Sequence, residues 1–314
     1  MVDSLPTIMA LWQGTLADGQ VRATANVVSK SSRQSQLEEA DAKTLKIKAA
    51  SDAMKLAVED AQRVGPKLHA SEADVGIPIE HARSAISSDR VHMALQPVVD
   101  SITRQPRVYE CLMRFEGSDG RYHSAEKTIQ AAESAGESDL VDKRSFQLAM
   151  ELLDAHRHLH LSLNLSSPTF SDPLALAKMS ETLSRRPEIA KRLIIEVTET
   201  TAIQDVDQAT RFVTTLQKLG CRLAIDDFGS GYTSFDILQA LPVDIVKIDG
   251  SLVVNINKYP SQSAFLERMV ELSRQLGMET VAEWITDAET ANTLSARGVD
   301  YLQGYYFGEP VVPD

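Results

Sequence analysis

The sequence predicts an α/β fold: a closed TIM-type (β/α)8 barrel preceded by a small, mostly helical region. Three observations predict it. Short apolar runs recur from residue 91 onward. Stretches with apolar residues at helical spacing separate them. Several of the runs are apolar throughout rather than alternating, as strands buried on both faces are. Strand–helix alternation repeated this often means a mainly parallel sheet with crossover helices, and about eight repeats in roughly 220 residues favour a closed barrel over an open doubly wound sheet. The chain has no Gly-x-Gly-x-x-Gly element and no P-loop, which further disfavours an open nucleotide-binding sheet.

Residues 1–64 read as a hairpin and helix region. Runs at 9–12 and 21–25 flank the turn signal Asp18-Gly19, and a polar, Ala- and Lys-rich helical stretch over 36–64 carries Leu45, Ala49, Leu56 and Val64 as a loose stripe. Gly65-Pro66 stops it, and 65–90 form a linker and lead-in helix. The barrel is expected over 91–314. Its strands are 91–95, 108–113, 159–163, 193–197, 222–225, 245–248, 280–282 and 301–302. Ala209, Phe212, Val213, Leu216 and Leu219 mark one crossover helix, stopped by Gly220. Phe265, Met269, Leu272 and Leu276 mark another, stopped by Gly277.

The 314 residues carry 32 Lys+Arg against 44 Asp+Glu, a net charge of −12. That excess argues against DNA or RNA as a partner, because no basic field exists to displace counterions. No stretch approaches the ~20 apolar residues of a membrane span. The N-terminus lacks a basic region followed by an apolar run, so no secretory signal is expected. Two cysteines, Cys111 and Cys221, make no disulfide framework, and a cytoplasmic location fits.

The polar residues fall where the strands end. Asn164, Glu196, Asp226, Asp227, Lys247, Asp249, Glu283 and Gln303 close or nearly close their runs, and Glu110 lies within the second one. In a barrel the C-terminal strand ends converge on one face, which carries the active site. Any one of these residues alone would read as a helix cap, a turn former or a solvated charge; their recurrence at strand after strand does not. Crowded carboxylates cannot all ionise without compensation. Divalent cations supply it, and a set of Asp, Glu and Asn oxygens suits Mg²⁺ or Mn²⁺ rather than Zn²⁺. The seven histidines are scattered; His156, His158 and His160 read as solvated residues at a helix end. Asp226 and Asp227 can each face a different cation, and two bridged cations suit in-line attack of water on a phosphodiester. Lys247 can offset charge there.

These residues resemble the EAL family of cyclic di-GMP phosphodiesterases. The resemblance runs from Gln96 to Pro310, about two-thirds of the chain. It rests on Gln96-Pro-Val-Val-Asp100, Glu110-Cys-Leu-Met-Arg-Phe115 (Cys111 replacing Ala of Glu-Ala-Leu), Asn164-Leu-Ser166, Glu196-Val-Thr-Glu199, Asp226-Asp-Phe-Gly-Ser-Gly-Tyr-Thr-Ser234, Lys247-Ile-Asp249, Gln303-Gly-Tyr305 and Pro310. It implies that Glu110, Asn164, Glu196 and Asp226 hold one metal and that Asp227 bridges toward a second. It further implies that Glu283 is the general base, that Lys247 acts electrostatically at water and phosphate, and that Gln303 lies near the metals. Arg114 is implied to contact phosphate, with Gln96, Leu112, Asp249 and Pro310 toward the dinucleotide. Glu199 is implied to steady the loop after Asp227. The implied reaction opens cyclic di-GMP to linear pGpG, and the implied assembly is a homodimer.

The chain has Ala282-Glu-Trp-Ile-Thr286 where the family pattern is Ala-Glu-Gly-Val-Glu. Trp284 replaces Gly, a bulk that could pack as a lid. Thr286 replaces a carboxylate, which points to weaker metal occupancy or water activation and favours the alternative of a cyclic di-GMP receptor; Thr286 also reads as the cap of the following helix. Residues 49–64 faintly resemble the end of a GGDEF domain, but no Gly-Gly-(Asp/Glu)-Glu-Phe motif is present, so cyclase chemistry is not expected. Residues 1–90 are instead a candidate surface for a protein partner.

Overall fold

The structure of the chain, a computed structural model, describes residues 83–86 and 90–313, apart from 117–119, 121, 126–127, 131, 133–134 and 231–234. The expected hairpin over 9–25, the helix over 36–64 with its GGDEF-like stretch, and the linker over 65–79 lie outside the described residues. Residues 83–86, within the expected lead-in helix, are helical.

The described strands are β1 (Val91–Asp100), β2 (Pro106–Glu116), β3 (Tyr122–Ser124), β4 (Leu161–Asn164), β5 (Leu193–Thr198), β6 (Arg222–Phe228), β7 (Ile245–Ile248), β8 (Glu279–Ala282) and β9 (Tyr301–Gln303). The longer helices are α1 (Ser138–Ala155), α2 (Pro173–Ser184), α3 (Val206–Leu219), α4 (Pro260–Leu276) and α5 (Ala288–Ala296). Strands pair in the order β1-β9-β8-β7-β6-β5-β4-β2, and β2 returns to β1, which closes the ring; β3 is a short addition on β2. Each of the eight expected runs is a barrel strand.

The ring is not parallel throughout. β1 runs antiparallel to both β2 and β9. Residues 101–105 alone join β1 to β2, and a connection that short makes a hairpin rather than a crossover. Asp100 Oδ1 accepts from the backbone N–H of Ile102 (3.0 Å) and Thr103 (2.7 Å), and Arg104 takes a φ of 59°. These are the marks of an Asx-type turn. β1 also continues past the expected residue 95, so Gln96 sits in mid-strand opposite Glu110 instead of at a strand end.

The outer helices follow the predicted stripes. α3 buries Ala209, Phe212, Val213 and Leu216 and is capped by Asp205, whose side chain accepts from Gln208 N. α4 buries Phe265, Met269 and Leu272. Each stops at a glycine in the left-handed region, Gly220 (φ 105°) and Gly277 (φ 79°), which frees the chain to turn back into the next strand.

Side chains return to the same face of a strand every second residue, and this period builds the barrel interior in layers. Val98, Ile194, Ala224, Ile245 and Val281 form one apolar cluster, with Val108 and Tyr301 packed against it. Two residues further along the parallel strands come Glu110, Glu196, Asp226, Lys247, Glu283 and Gln303. On antiparallel β1 the same step runs backwards, from Val98 to Gln96. An apolar floor thus carries a polar storey, as the alternate-strand layering of a barrel requires.

Candidate active site

Lys247 is the centre of that storey. Its side chain is 3 % exposed, and its Nζ lies 2.7 Å from Glu196, 2.8 Å from Glu283, 3.1 Å from Asp226 and 3.6 Å from Glu110. Glu110 also accepts from Asn164 Nδ2 at 2.7 Å and from Gln303 Nε2 at 2.5 Å. Gln303 Nε2 reaches Gln96 Oε1 at 3.1 Å, and Gln96 Nε2 donates to the carbonyl of Gly308 at 3.3 Å. Residues from β1, β2, β4, β5, β6, β7 and β9 therefore meet in one network, buried except at half-buried Asp226 and exposed Asn164, with Glu283 just past β8.

Asp226 and Asp227 lie inside β6, not after it, and a bulge explains how adjacent residues serve one site. Neighbouring side chains of a regular strand point to opposite faces. Here Ile225 pairs with Val246 and Phe228 with Ile248, so β6 takes three steps while β7 takes two. Asp227 takes a φ of 55° within that bulge. Such bulges re-aim side chains beside active sites. One oxygen each of Asp226, Asp227 and Glu283 then lie within 4.8 Å of one another, and so do one each of Glu110, Glu196 and Asp226. Glu283, expected only as a base, thus also belongs to a possible ligand group.

The carboxylates divide by charge state. For Glu110, burial works against ionisation, but the Lys247 charge and the bonds from Gln303 and Asn164 outweigh it and hold the pKa below 4.5. Burial dominates at Glu196, which is pushed up to about 8, the charges of Glu110 and Asp226 adding to it against Lys247. Burial also raises Asp226 and, further, Glu283. Asp227, at the mouth, is pushed up to about 6 by desolvation and then by Asp226 and Asp249. Burial opposes charge on Lys247 as well, yet the surrounding carboxylates hold its pKa well above 10.5.

A stability prediction follows for the cation-free protein. Glu196 keeps its proton up to about pH 8 when folded but ionises near 4.5 when unfolded, so the folded state holds the extra proton in between. Stability therefore falls as pH rises through this window, at roughly 1.4 kcal/mol per pH unit for each such proton. Glu110 favours the folded state above its unfolded pKa of 4.5, a contribution already complete at pH 6, and Lys247 matters only near and above 10.5. Urea unfolding in EDTA should give lower stability at pH 7.5 than at pH 6; a rise would contradict this charge assignment.

The donors fit divalent cations. All are oxygens, they are more numerous than the single ammonium can neutralise, and Gln303 Oε1 is buried beside Glu110 without a hydrogen-bond donor. Hard cations such as Mg²⁺ take such sets.

Around this network stand the other expected residues. Leu112 and Arg114 follow Glu110 on the same face of β2, both half-buried. Asp249 is buried and caps the short helix Gly250–Val253, accepting from Ser251 N at 3.0 Å. Glu199 is buried and accepts from Gly229 N at 3.5 Å, beside the loop after Asp227. Pro310 precedes Val311, which bridges to Leu95 and so lays the closing segment along β1. Thr286 does not cap α5: Asp287 does, accepting from Thr290 N at 2.8 Å, while Thr286 is exposed and bonds Asp287. Asp caps better than Thr and brings a negative charge to that helix end. His156, His158 and His160 are exposed, as expected. A separate cavity of ≈ 650 Å³ lies outside the barrel between α1 and α2, lined by Asp142, Met150, Leu165, Met179 and Arg186 among others.

Comparison with known proteins places the geometry. A family model described as EAL domain matches residues 79–310. The chain is 32 % identical over 236 residues to the cyclic di-GMP phosphodiesterase PdeB of Shewanella oneidensis, covering 72 % of this chain and 27 % of that protein. It is 29 % identical over 262 residues to the cyclic di-GMP phosphodiesterase PdeF of Escherichia coli, covering 81 % of this chain and 34 % of that one. The chain thus spans about a third or less of the length of these relatives. Its fold matches a solved structure of the PaMucR phosphodiesterase in complex with c-di-GMP, with a TM-score of 0.66 and 27 % identity, covering 74 % of this chain and 97 % of that one.

Proposed function

Because this chain belongs to the EAL domain family, we propose that it hydrolyses cyclic di-GMP to linear pGpG, with Mg²⁺ or Mn²⁺ as cofactor. The observation that carries this is the ring of four carboxylates around the single buried ammonium of Lys247, which cannot all ionise without further positive charge. In this reading Glu110, Asn164, Glu196 and Asp226 hold one cation, and Asp226, Asp227 and Glu283 flank a second. Bound there, the cations would supply positive charge to the phosphodiester.

The chain's own residues do the rest. Glu283 takes a proton from a water whose oxygen adds to phosphorus, while the P–O3′ bond breaks and the departing oxygen takes a proton from solvent. Lys247, 2.8 Å from Glu283, orients that carboxylate and offsets charge on the phosphoryl group. Gln96, Leu112, Arg114, Asp249, Gln303 and Pro310 bind the dinucleotide, with Arg114 toward a phosphate, and Glu199 steadies the loop after Asp227. A homodimer, a cytoplasmic location, the division at residues 64/65 and 90/91, and a partner surface on 1–90 belong to the same proposal.

A second reading is a cyclic di-GMP receptor without turnover. Exposed Thr286, where the family pattern has a carboxylate, favours it. Incubation with cyclic di-GMP and Mg²⁺ or Mn²⁺, followed by chromatography, separates the two. Release of pGpG that EDTA suppresses supports the phosphodiesterase; bound but intact dinucleotide supports the receptor.

A further inference from the structure

Trp284 combines three features that rarely coincide. It is a large apolar side chain left 50 % exposed. Its backbone is left-handed, with a φ of 57°, a region that disfavours every residue with a side chain and suits glycine. It also directly follows Glu283, whose carboxylate lies 2.8 Å from Lys247.

The indole is held in place from below. A Cβ built on Gly250 would fall 2.1 Å from Trp284 Cγ and Cδ2 and 2.6 Å from its Cβ. The side chain therefore rests directly on the Gly250 backbone, at the start of the helix that Asp249 caps. Its backbone is held on both sides. Glu283 N donates to the Ile248 carbonyl at 3.3 Å, Ile285 N to the Gln303 carbonyl at 3.0 Å, and Tyr306 N to the Ile285 carbonyl at 3.0 Å. Ile285 itself is fully buried. The outward direction of the indole is thus set by strand β8 on one side and the β9 segment on the other.

We propose that Trp284 is a substrate-binding residue, whose indole stacks against one guanine of the cyclic dinucleotide. This rests on the substrate assigned above. The chemistry is complementary: the anionic phosphates need the cations and Arg114, whereas the flat, uncharged base needs an apolar, rigid face clear of the carboxylates. A ring already fixed on Gly250 loses little freedom when a base covers it, which is the condition for stacking to raise affinity. Stacking on an aromatic side chain is worth about 5- to 150-fold in affinity per base.

The chain has two tryptophans, Trp12 and Trp284, so Trp12→Phe leaves Trp284 as the sole indole. In this background, with Glu283→Gln to slow turnover, cyclic di-GMP is titrated by calorimetry and by tryptophan emission. The expected result is quenching that saturates with the heat. Trp284→Gly, which suits the backbone and so keeps the fold, should raise Kd about 5- to 150-fold, with Trp284→Phe recovering most of the loss. In the chain with Glu283 intact, the same change should raise KM and leave kcat within about twofold. Heat without quenching, an unchanged Kd, or tighter binding by Trp284→Gly overturns the proposal; the last would make the indole an obstruction. Absence of any heat with Trp284 in place overturns the substrate assignment as well.

Discussion

Glu283→Gln is expected to lower turnover of cyclic di-GMP by about 10²–10⁴-fold at saturating cation, with affinity changed only a few-fold. The substitution is isosteric and removes the proton-accepting oxygen while keeping an amide beside Lys247. The structure gives Glu283 a second candidate role, because its oxygen lies within 4.8 Å of oxygens from Asp226 and Asp227. The two roles separate on one axis. A lost base is not restored by more cation, so turnover stays low as Mg²⁺ or Mn²⁺ is raised. A lost ligand weakens cation binding, so turnover recovers along that titration. Chromatographic initial rates across a cation series read the difference directly. Full activity at every cation concentration would remove Glu283 from both roles.

How far the sequence reaches into this site can be seen residue by residue. The strand periodicity was legible because the barrel strands bury mostly apolar residues, and the carboxylates stood out as polar residues in that pattern. The layering was legible too, since Val108 and Glu110, Ile194 and Glu196, or Val281 and Glu283 are each two apart. What stayed hidden depends on contacts distant in sequence. The antiparallel entry of β1 turns on five residues whose only cue is Asp100, an Asx-turn former that the apolar pattern overshadows. Thr286 and Asp287 both have capping side chains, and only the helix start at Ala288 selects Asp287. Gln96 finds its mid-strand place through pairing with Glu110, a relation that no local signal carries.

The bulge at Asp226-Asp227 is the most consequential hidden feature. On a regular strand, adjacent aspartates would point to opposite faces. The bulge, with Asp227 at a φ of 55°, lets both reach the oxygen group that includes Glu283. Two of the described non-glycine residues in the left-handed region, Asp227 and Trp284, flank the carboxylate cluster, and the third, Arg104, serves a hairpin turn. Strain is thus concentrated where the site is built, at β6 and just past β8.

Lys247→Met should cost about 3–5 kcal/mol of folding stability in EDTA at pH 7.5, because removing one partner of a buried ion cluster strands the others. For a domain of this size that corresponds to a fall in Tm of roughly 6–20 °C. Lys247 approaches four carboxylates and is itself 3 % exposed, so water cannot take its place. The loss should shrink toward pH 5. Protons stand in for the lost ammonium more easily as pH falls, so fewer carboxylate charges are left stranded. Divalent cation should restore part of the stability at pH 7.5, because it brings the same compensation to the same oxygens. Activity should nonetheless remain low, since a cation among the carboxylates does not replace the contact between Lys247 and Glu283. Thermal unfolding at two pH values, each with EDTA and with Mn²⁺, reads all of this. Equal stability of variant and parent in EDTA at pH 7.5 would mean that the carboxylates share protons among themselves, and that Lys247 is not what holds the ring together.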